Sequence, residues 1–341
     1  MSSRSLRDSN LRRFEASPGD VIFIPPRTYH EMVRVQKNDL TIVGPEQAIL
    51  DAVGFENGIH VGAEIFGQGP GGVPTCPAIA VRNFTLIGMT IQNANKNGVF
   101  LSGVDSYVIA KGRYVNNGDY GTYPSCSNNG QTLFNSVQGG EDTCIYIGND
   151  VQSVIVGNRA SGCTVGIQIV NSSEVVVRGN ELTGNSKGVL AIVDPFNPLT
   201  ETSEIRVDSN IIRENNRPNT SSDPDLTRIP AGIGILNVGS DNVVITKNLV
   251  ENNNTLGVAI TENPLALRDP RGIDPNPDDN KTRLNVFRNN GTSPSTGLPG
   301  ADIFYDGSGR GNCFAGNTFV SSIPPNIEAT FPCNSPTTGG R

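Results

Sequence analysis

Lys96, Asp119, Asp142, Thr164 and Ser186 follow one another at intervals of 23, 23, 22 and 22 residues. Four positions further along, a second series reads His60, Phe100, Tyr123, Tyr146, Gln168 and Leu190. If each interval is one turn of a stacked repeat, Asp119 and Asp142 are neighbours about 5 Å apart. Two carboxylates at that distance ionise together only at a cost, so they share a proton or a cation. Such a pair suits the acid and nucleophile of a retaining glycosidase, or two ligands of a Ca²⁺ that draws in a uronate carboxylate. Lys96 would neutralise charge, Arg113 is a further cation nearby in sequence, and Tyr123 or His60 would serve as base or acid. In the second series Phe100, Tyr123 and Tyr146 are three consecutive aromatics expected to face solvent, where the apolar face of a pyranose packs on a ring and Gln168 meets its hydroxyls. The alternative is structural: Asp119 and Asp142 cap the turns GDYGTYPS and GGEDTCIY, Lys96 is solvated, and the aromatics stiffen a sheet or lie beneath a loop.

The elements that must position these residues are visible in the segments VQSVIVGNRASGCTVGIQIV, SSEVVVRGNELTGNSKGVLAIV and SDNVVITKNLVENNNTLGVAITE. Each reads as an alternating apolar strand, an Asn, an apolar pair, a polar turn, a Gly and a second apolar alternation, with a period of about 22 residues. Anchors before the last strand fall at Gly98, Gly121, Cys144, Gly166, Gly188, Gly232 and Gly257, with Gly58 one turn earlier and a poorer anchor near Asp302. Asn135, Asn158, Asn180, Asn210 and Asn248 recur at one place in successive turns and predict an internal amide ladder. Short strands with Gly and Asn corners predict an all-β parallel β-helix of about ten coils stacked at about 4.8 Å. In a strand of the form Gly-Ile-x-Ile the isoleucines point inward and x points outward.

Departures from the period mark inserted loops. Residues 62–80, 194–203 and 263–280 all follow the anchor strand and rise along one flank, whereas 214–231 and about 289–301 precede the anchor and lie at another corner. The plain turns at Gly98, Gly121, Cys144 and Gly166 are expected to form a groove floor between the 62–80 and 194–203 insertions.

Composition agrees with a turn-rich solenoid: 39 Gly, no Trp and only 17% charged residues. The net charge of −7 comes without a basic stretch, which excludes the electrostatic footprint of a nucleic-acid binder. No run of about 18 apolar residues exists, so no membrane span is expected. The opening MSSRSLRDSNLRRF has no apolar leader core, and secretion would require a leader outside this chain. Of six cysteines, Cys313 and Cys333 are expected to fasten the C-terminal tail, Cys76 and Cys126 to join a long loop to the floor, and Cys144 and Cys163 to be buried thiols. Six Asn sequons, at Asn83, Asn171, Asn219, Asn253, Asn280 and Asn290, are expected by chance in an Asn-rich chain. His30 reads as structural. The alternating Asp274, Asn276 and Asp278 read as a solvated acidic loop rather than a Ca²⁺ site.

The segment SPGDVIFIPPRTYHEMVRV followed by NDLTIVG resembles the opening of the pectate-lyase-like superfamily of right-handed parallel β-helix proteins. The repeats GNRASGCTVGIQIVNSSEVVVRGNELTGN resemble its periplasmic copper-site maturation and mannuronan-epimerase-like branch. The resemblance spans residues 16 to about 320 and implies a single-stranded right-handed solenoid, with residues 1–15 as an extension and 321–341 as a tail. It also implies a carbohydrate-active enzyme on a polysaccharide, as lyase or C5-epimerase, beside the hydrolase that paired Asp residues allow. Alternatives from other classes are a non-catalytic glycan- or surface-binding solenoid and an enzyme for a small metabolite. The Asp-Pro-His signature of mannuronan epimerases is absent. The Asp-Pro pairs at Asp194, Asp223, Asp269 and Asp274 lie in inserted loops with no following His. No cofactor beyond Ca²⁺ at Asp119 and Asp142 is implied, and the expected location is secreted or periplasmic, with the cytoplasm left open.

Overall fold

The computed structural model describes residues 3–5, 16–64, 67–69, 74–268 and 271–333. Most of the expected extension 1–15, part of the 62–80 insertion, Asp269 and Pro270, and the last eight residues of the tail lie outside that range. The chain is a right-handed parallel β-helix. Eleven strands stack into one sheet, running from Val33–Val35 through Asn57–Gly62, Asn97–Ser102, Tyr120–Ser125, Thr143–Gly148, Val165–Val170, Lys187–Ile192, Ile233–Val238, Leu256–Thr261 and Ala301–Tyr305 to Ser322–Ile323. The other walls of each coil are ladders of mostly three-residue strands, such as Val154–Val156 on Val176–Arg178 and Arg159–Ser161 on Glu181–Thr183. They merge near the N-terminus through the long strands Thr41–Asp51 and Val81–Gln92.

Alternation along the strands sorts side chains to two sides. Val99, Leu101, Ile145, Ile147, Ile167 and Ile169 point into the continuous interior core. Val165, Leu190, Ile192, Ile233, Leu236 and Leu256 form a separate apolar cluster on the outer face of the eleven-stranded sheet. In most coils the corner after that sheet is turned by a left-handed residue, including Asn149 (φ 51°), Asn171 (φ 47°) and Gly239 (φ 63°), a conformation that Asn and Gly adopt at least cost. Insertions leave from this corner without disturbing the strands.

Inside, the expected amide ladder is present and longer than the sequence indicated. Asn135, Asn158, Asn180, Asn210, Asn248, Asn285 and Asn317 each pass an amide hydrogen bond of 2.8–3.0 Å to the next, ending at Glu328 Oε1. A second ladder runs Asn185, Asn215, Asn253, Asn290 and Asp302. The sequon residues Asn253, Asn280 and Asn290 are buried in such ladders, and Asn171 is buried where its amide bonds backbone carbonyls of an insertion.

Three disulfides close the coils: Cys76–Cys126, Cys144–Cys163 and Cys313–Cys333. The first and third follow expectation. Cys144 and Cys163 are not thiols; both are buried and the coil brings their Cα atoms to 5.7 Å, within bonding reach.

Register confirms every anchor but one. Strand Ile233–Val238 pairs Ile233 with Lys187 and with Leu256, so its anchor is Gly234 rather than Gly232. The motif AGIGILNV offers both glycines. Gly232 (φ 84°) closes the insertion, whereas a Cβ at Gly234 would lie 2.5 Å from the Gly257 carbonyl on the next coil. The sheet continues through Asp302 as the poorer anchor anticipated, since Leu256 pairs with Ala301 and Val258 with Ile303.

Candidate functional site

The outward series is in register: His60 pairs with Phe100, Phe100 with Tyr123, Tyr146 with Gln168, and Gln168 with Leu190. It does not face solvent. His60, Phe100, Tyr146 and Gln168 are only 3%, 5%, 7% and 7% exposed. The rings lean on one another, with centroids 4.7 Å apart for His60–Phe100, 5.3 Å for Phe100–Tyr123 and 4.7 Å for Tyr123–Tyr146. Tyr120, one position before its anchor, joins them at 4.5 Å from Tyr123 and 5.2 Å from Tyr146. Tyr120 and Tyr123 remain part-exposed, so only this end of the stack can meet a ligand.

There the outer face opens into a cavity of about 580 Å³. Tyr123, Tyr146 and Gln168 start its floor, and Leu236, Ala259 and Phe304 of the same series carry it toward the C-terminus. The groove is therefore displaced from the floor expected at Gly98 to Gly166. Its walls are the 194–203 insertion with residues 262–265 on one edge, and residues 223–230 with Leu298 and Pro299 on the other. Insertions from both corners build it. The 194–203 wall is pinned by buried amides: Asn149 Nδ2 donates to Asn197 Oδ1 (2.8 Å), and Asn171 Nδ2 donates to the carbonyls of Asp194 (3.0 Å) and Leu199 (2.5 Å). Arg271 adds guanidinium bonds to the carbonyls of Asn197 and Pro195. The opposite wall is tied down where Ser186 Oγ donates to the Arg217 carbonyl (2.6 Å) and Leu226 enters the outer apolar cluster.

Asp142 stands at the floor and is 8% exposed. Tyr120 Oη donates to its Oδ2 (2.8 Å) and Thr143 Oγ1 to its Oδ1 (2.8 Å). Burial pushes its carboxyl up to about 6, further raised by Asp223 and Asp119 and opposed by the two hydroxyl bonds. Across the tyrosines Asp194 takes the Phe196 backbone NH (2.8 Å) and the Asn197 amide (2.6 Å). It too is raised, by burial first and then by Asp225 and Asp223. Tyr123 and Tyr146 feel the charge of both Asp142 and Asp194, and burial holds both phenols well above their ordinary value.

Lys187 escapes sequence reasoning. It occupies the series Tyr120, Thr143, Val165, Lys187, Ile233, Leu256, between two apolar neighbours on the outer face. It is fully buried and its Nζ has no hydrogen-bond partner. Burial lowers its amine to about 7, against a weaker upward pull from Asp142. The signal was available in a lysine interrupting a series that is otherwise aromatic, hydroxyl or aliphatic, one position from the series that was followed.

The remaining expected site residues lie apart. Lys96 and Asp119 align with Asp142 as expected, but Lys96 is exposed and ion-paired to Glu56 at 2.7 Å. Asp119 is part-exposed and uncapped by either tyrosine; burial and Glu141 raise it and Lys96 lowers it. His60 has both ring nitrogens engaged, accepting from Arg34 at Nδ1 (2.9 Å) and donating from Nε2 to the Ala63 carbonyl (2.7 Å), which leaves neither for acid-base work. Phe100 is a packing ring. Arg113 belongs to strand Arg113–Val115 on another wall, where it pairs with Glu46 at 3.4 Å and lines a separate polar hollow. Among the described residues no group of three or more His, Cys, Asp or Glu side chains converges to hold a metal ion. Each Asp142 oxygen, expected above to meet a Ca²⁺, accepts one hydroxyl hydrogen bond.

Among known proteins, residues 79–200 match the right-handed β-helix region family. Comparison with curated protein sequences finds no match. The fold is similar to that of the A-module of the Azotobacter vinelandii mannuronan C-5 epimerase AlgE4, at 12% identity and TM-score 0.57 over 88% of each chain. It is similar to a DFA-IIIase from Arthrobacter chlorophenolicus A6, at 11% identity and TM-score 0.53 over 87% of this chain and 84% of that one. It is also similar to the catalytic unit of a GH87 α-1,3-glucanase from Streptomyces thermodiastaticus, at 17% identity and TM-score 0.51 over 90% and 64%.

Proposed function

We propose that the cavity is a carbohydrate-active site that hydrolyses a glycosidic bond in a glycan lacking uronate carboxylates. One observation carries the reading: Asp142, a carboxylic acid that burial holds near pH 6, lies in a cavity floored by tyrosines, with a second carboxylate, Asp194, facing the same rings. Asp142 donates its proton to the glycosidic oxygen as the C–O bond breaks. Water adds at the anomeric carbon and passes its proton to Asp194. Tyr123 presents its part-exposed ring to a sugar, Tyr146 packs edge-on against it from below, and the Tyr120 hydroxyl holds Asp142 in place. Fold neighbours whose names include a mannuronan epimerase and an α-1,3-glucanase support a carbohydrate-active reading.

Charge favours hydrolysis over lyase or epimerase chemistry. Proton abstraction beside a uronate carboxylate needs that carboxylate neutralised. Five carboxylates line the cavity, Asp142, Asp194, Asp223, Asp225 and Glu262, against Arg228, which pairs with Asp225 at 3.8 Å. The walls on both edges fit a chain end or short oligosaccharide. Three disulfides support a secreted or periplasmic location.

The test is incubation with α- and β-glucans, amino-sugar glycans, pectin, alginate and glycosaminoglycans, with and without EDTA, following reducing ends and unsaturated-uronate absorbance. The expected result is EDTA-insensitive release of reducing ends that Asp142→Asn slows by at least about 10²-fold. Uronate absorbance, or reducing ends released by Asp142→Asn at close to the wild-type rate, overturns the reading.

A further inference from the structure

Resting on the carbohydrate-active reading of this cavity, we infer that its substrate carries positive charge: the site is built for a glycan of amino sugars whose amines are free rather than acetylated.

The first observation is the placement of the carboxylates. Asp194 is fixed on one wall by its own loop, and Asp223 on the other, where its Oδ1 accepts the backbone NH groups of Asp225 (2.7 Å) and Leu226 (3.3 Å). Both are held in place before any ligand arrives. Their repulsion is felt across the cavity: Asp223 raises both Asp142 and Asp194. A cation between the walls relieves that repulsion, whereas a neutral ligand leaves it and an anion adds to it. The Lys187 amine, held near neutrality by burial, supplies little of this compensation.

The second observation separates an organic cation from a metal ion. No three carboxylates converge among the described residues, and most of the lining is apolar or aromatic. Tyr120, Tyr123 and Tyr146 meet within 4.5–5.2 Å of one another, and Phe196 stands 68% exposed on the rim beside Asp194. Aromatic faces attract ammonium groups and pack against the C–H face of a sugar ring. Sugar rings bearing ammonium groups satisfy both linings at once.

The experiment measures binding by titration calorimetry on the full chain, using the Asp142→Asn variant so that turnover does not intervene. The probes are a glucosamine hexamer, its N-acetylated counterpart and a glucose hexamer. The glucosamine hexamer is expected to bind at least about tenfold more tightly than either comparison, with the preference shrinking as salt rises. Asp223→Asn combined with Asp225→Asn, both on the loop surface, is expected to remove most of that preference while leaving the melting temperature unchanged. Equal affinity for the three probes, or a preference that survives the double substitution, overturns the inference. Preferential binding without turnover of any glycan by the wild-type chain would sink the hydrolase reading and leave this one standing. Turnover of neutral glucans with no charge preference in binding would do the reverse.

Discussion

Two sets of polar side chains are buried in this solenoid, and they differ in whether their hydrogen bonds are complete. Along the interior, each middle rung of the asparagine ladder donates both amide hydrogens and accepts from the coil before it; Asn180, for instance, bonds Ile155 O and Asn210 Oδ1 and receives Asn158. On the outer face Lys187 is equally buried with no partner for its amine, and Asp142 is held by two hydroxyls but pushed toward its protonated form. Complete satisfaction marks structure, because each bond repeats with the coil. The buried amine of Lys187 and the raised carboxyl of Asp142 lie on the stretch of outer face that insertions cover, and an unpaired ionisable group there costs more than the partnerless interior hydroxyls of Tyr114 and Thr132.

Substitutions should separate the two sets. The largest expected effect is on chemistry: Asp142→Asn lowers kcat by about 10²–10⁴-fold with the fold intact, checked by reducing-end release beside circular dichroism. Next, Asn180→Ala strips partners from Asn158 and Asn210 and is expected to cost about 3 kcal/mol, read by chemical denaturation. Lys187→Met goes the other way, stabilising by about 3 kcal/mol near neutral pH. The sign follows from linkage. The folded state holds the Lys187 proton less tightly than the unfolded chain, so its penalty is full below about pH 7 and fades as pH rises toward 10.5. Denaturation midpoints of wild type and Lys187→Met should therefore converge at high pH. Smallest is Arg113→Ala, an exposed pair on another wall, expected to change stability by about 0.5 kcal/mol or less and activity not at all.

The coil itself was legible because its signals repeat: inward isoleucines, corner glycines and the Asn135 to Asn248 ladder recur at a fixed interval, so one misplaced anchor, Gly232 for Gly234, leaves the rest in register. The column containing Asp142 was legible for the same reason. Its environment was not. Lys96, Asp119 and Asp142 share one column, yet the first two reach solvent and the third is buried beside the 223–230 wall, a difference set by insertions whose path has no period. Solvent exposure of Phe100 and Tyr146 failed similarly, since alternation says which way a ring points and not what lies over it. Lys187 is not legible from the column of Lys96, Asp119 and Asp142, because it stands in a second outward column beside it, among Thr143, Val165 and Ile233.

The most direct test of the central claim is a pH titration of the Asp142 carboxyl by ¹³C NMR, assigned by the resonance lost in Asp142→Asn. The account predicts a midpoint near 6. A midpoint at the ordinary value of 3.8 would contradict it, leaving Asp142 an ordinary ionised carboxylate with no acid role.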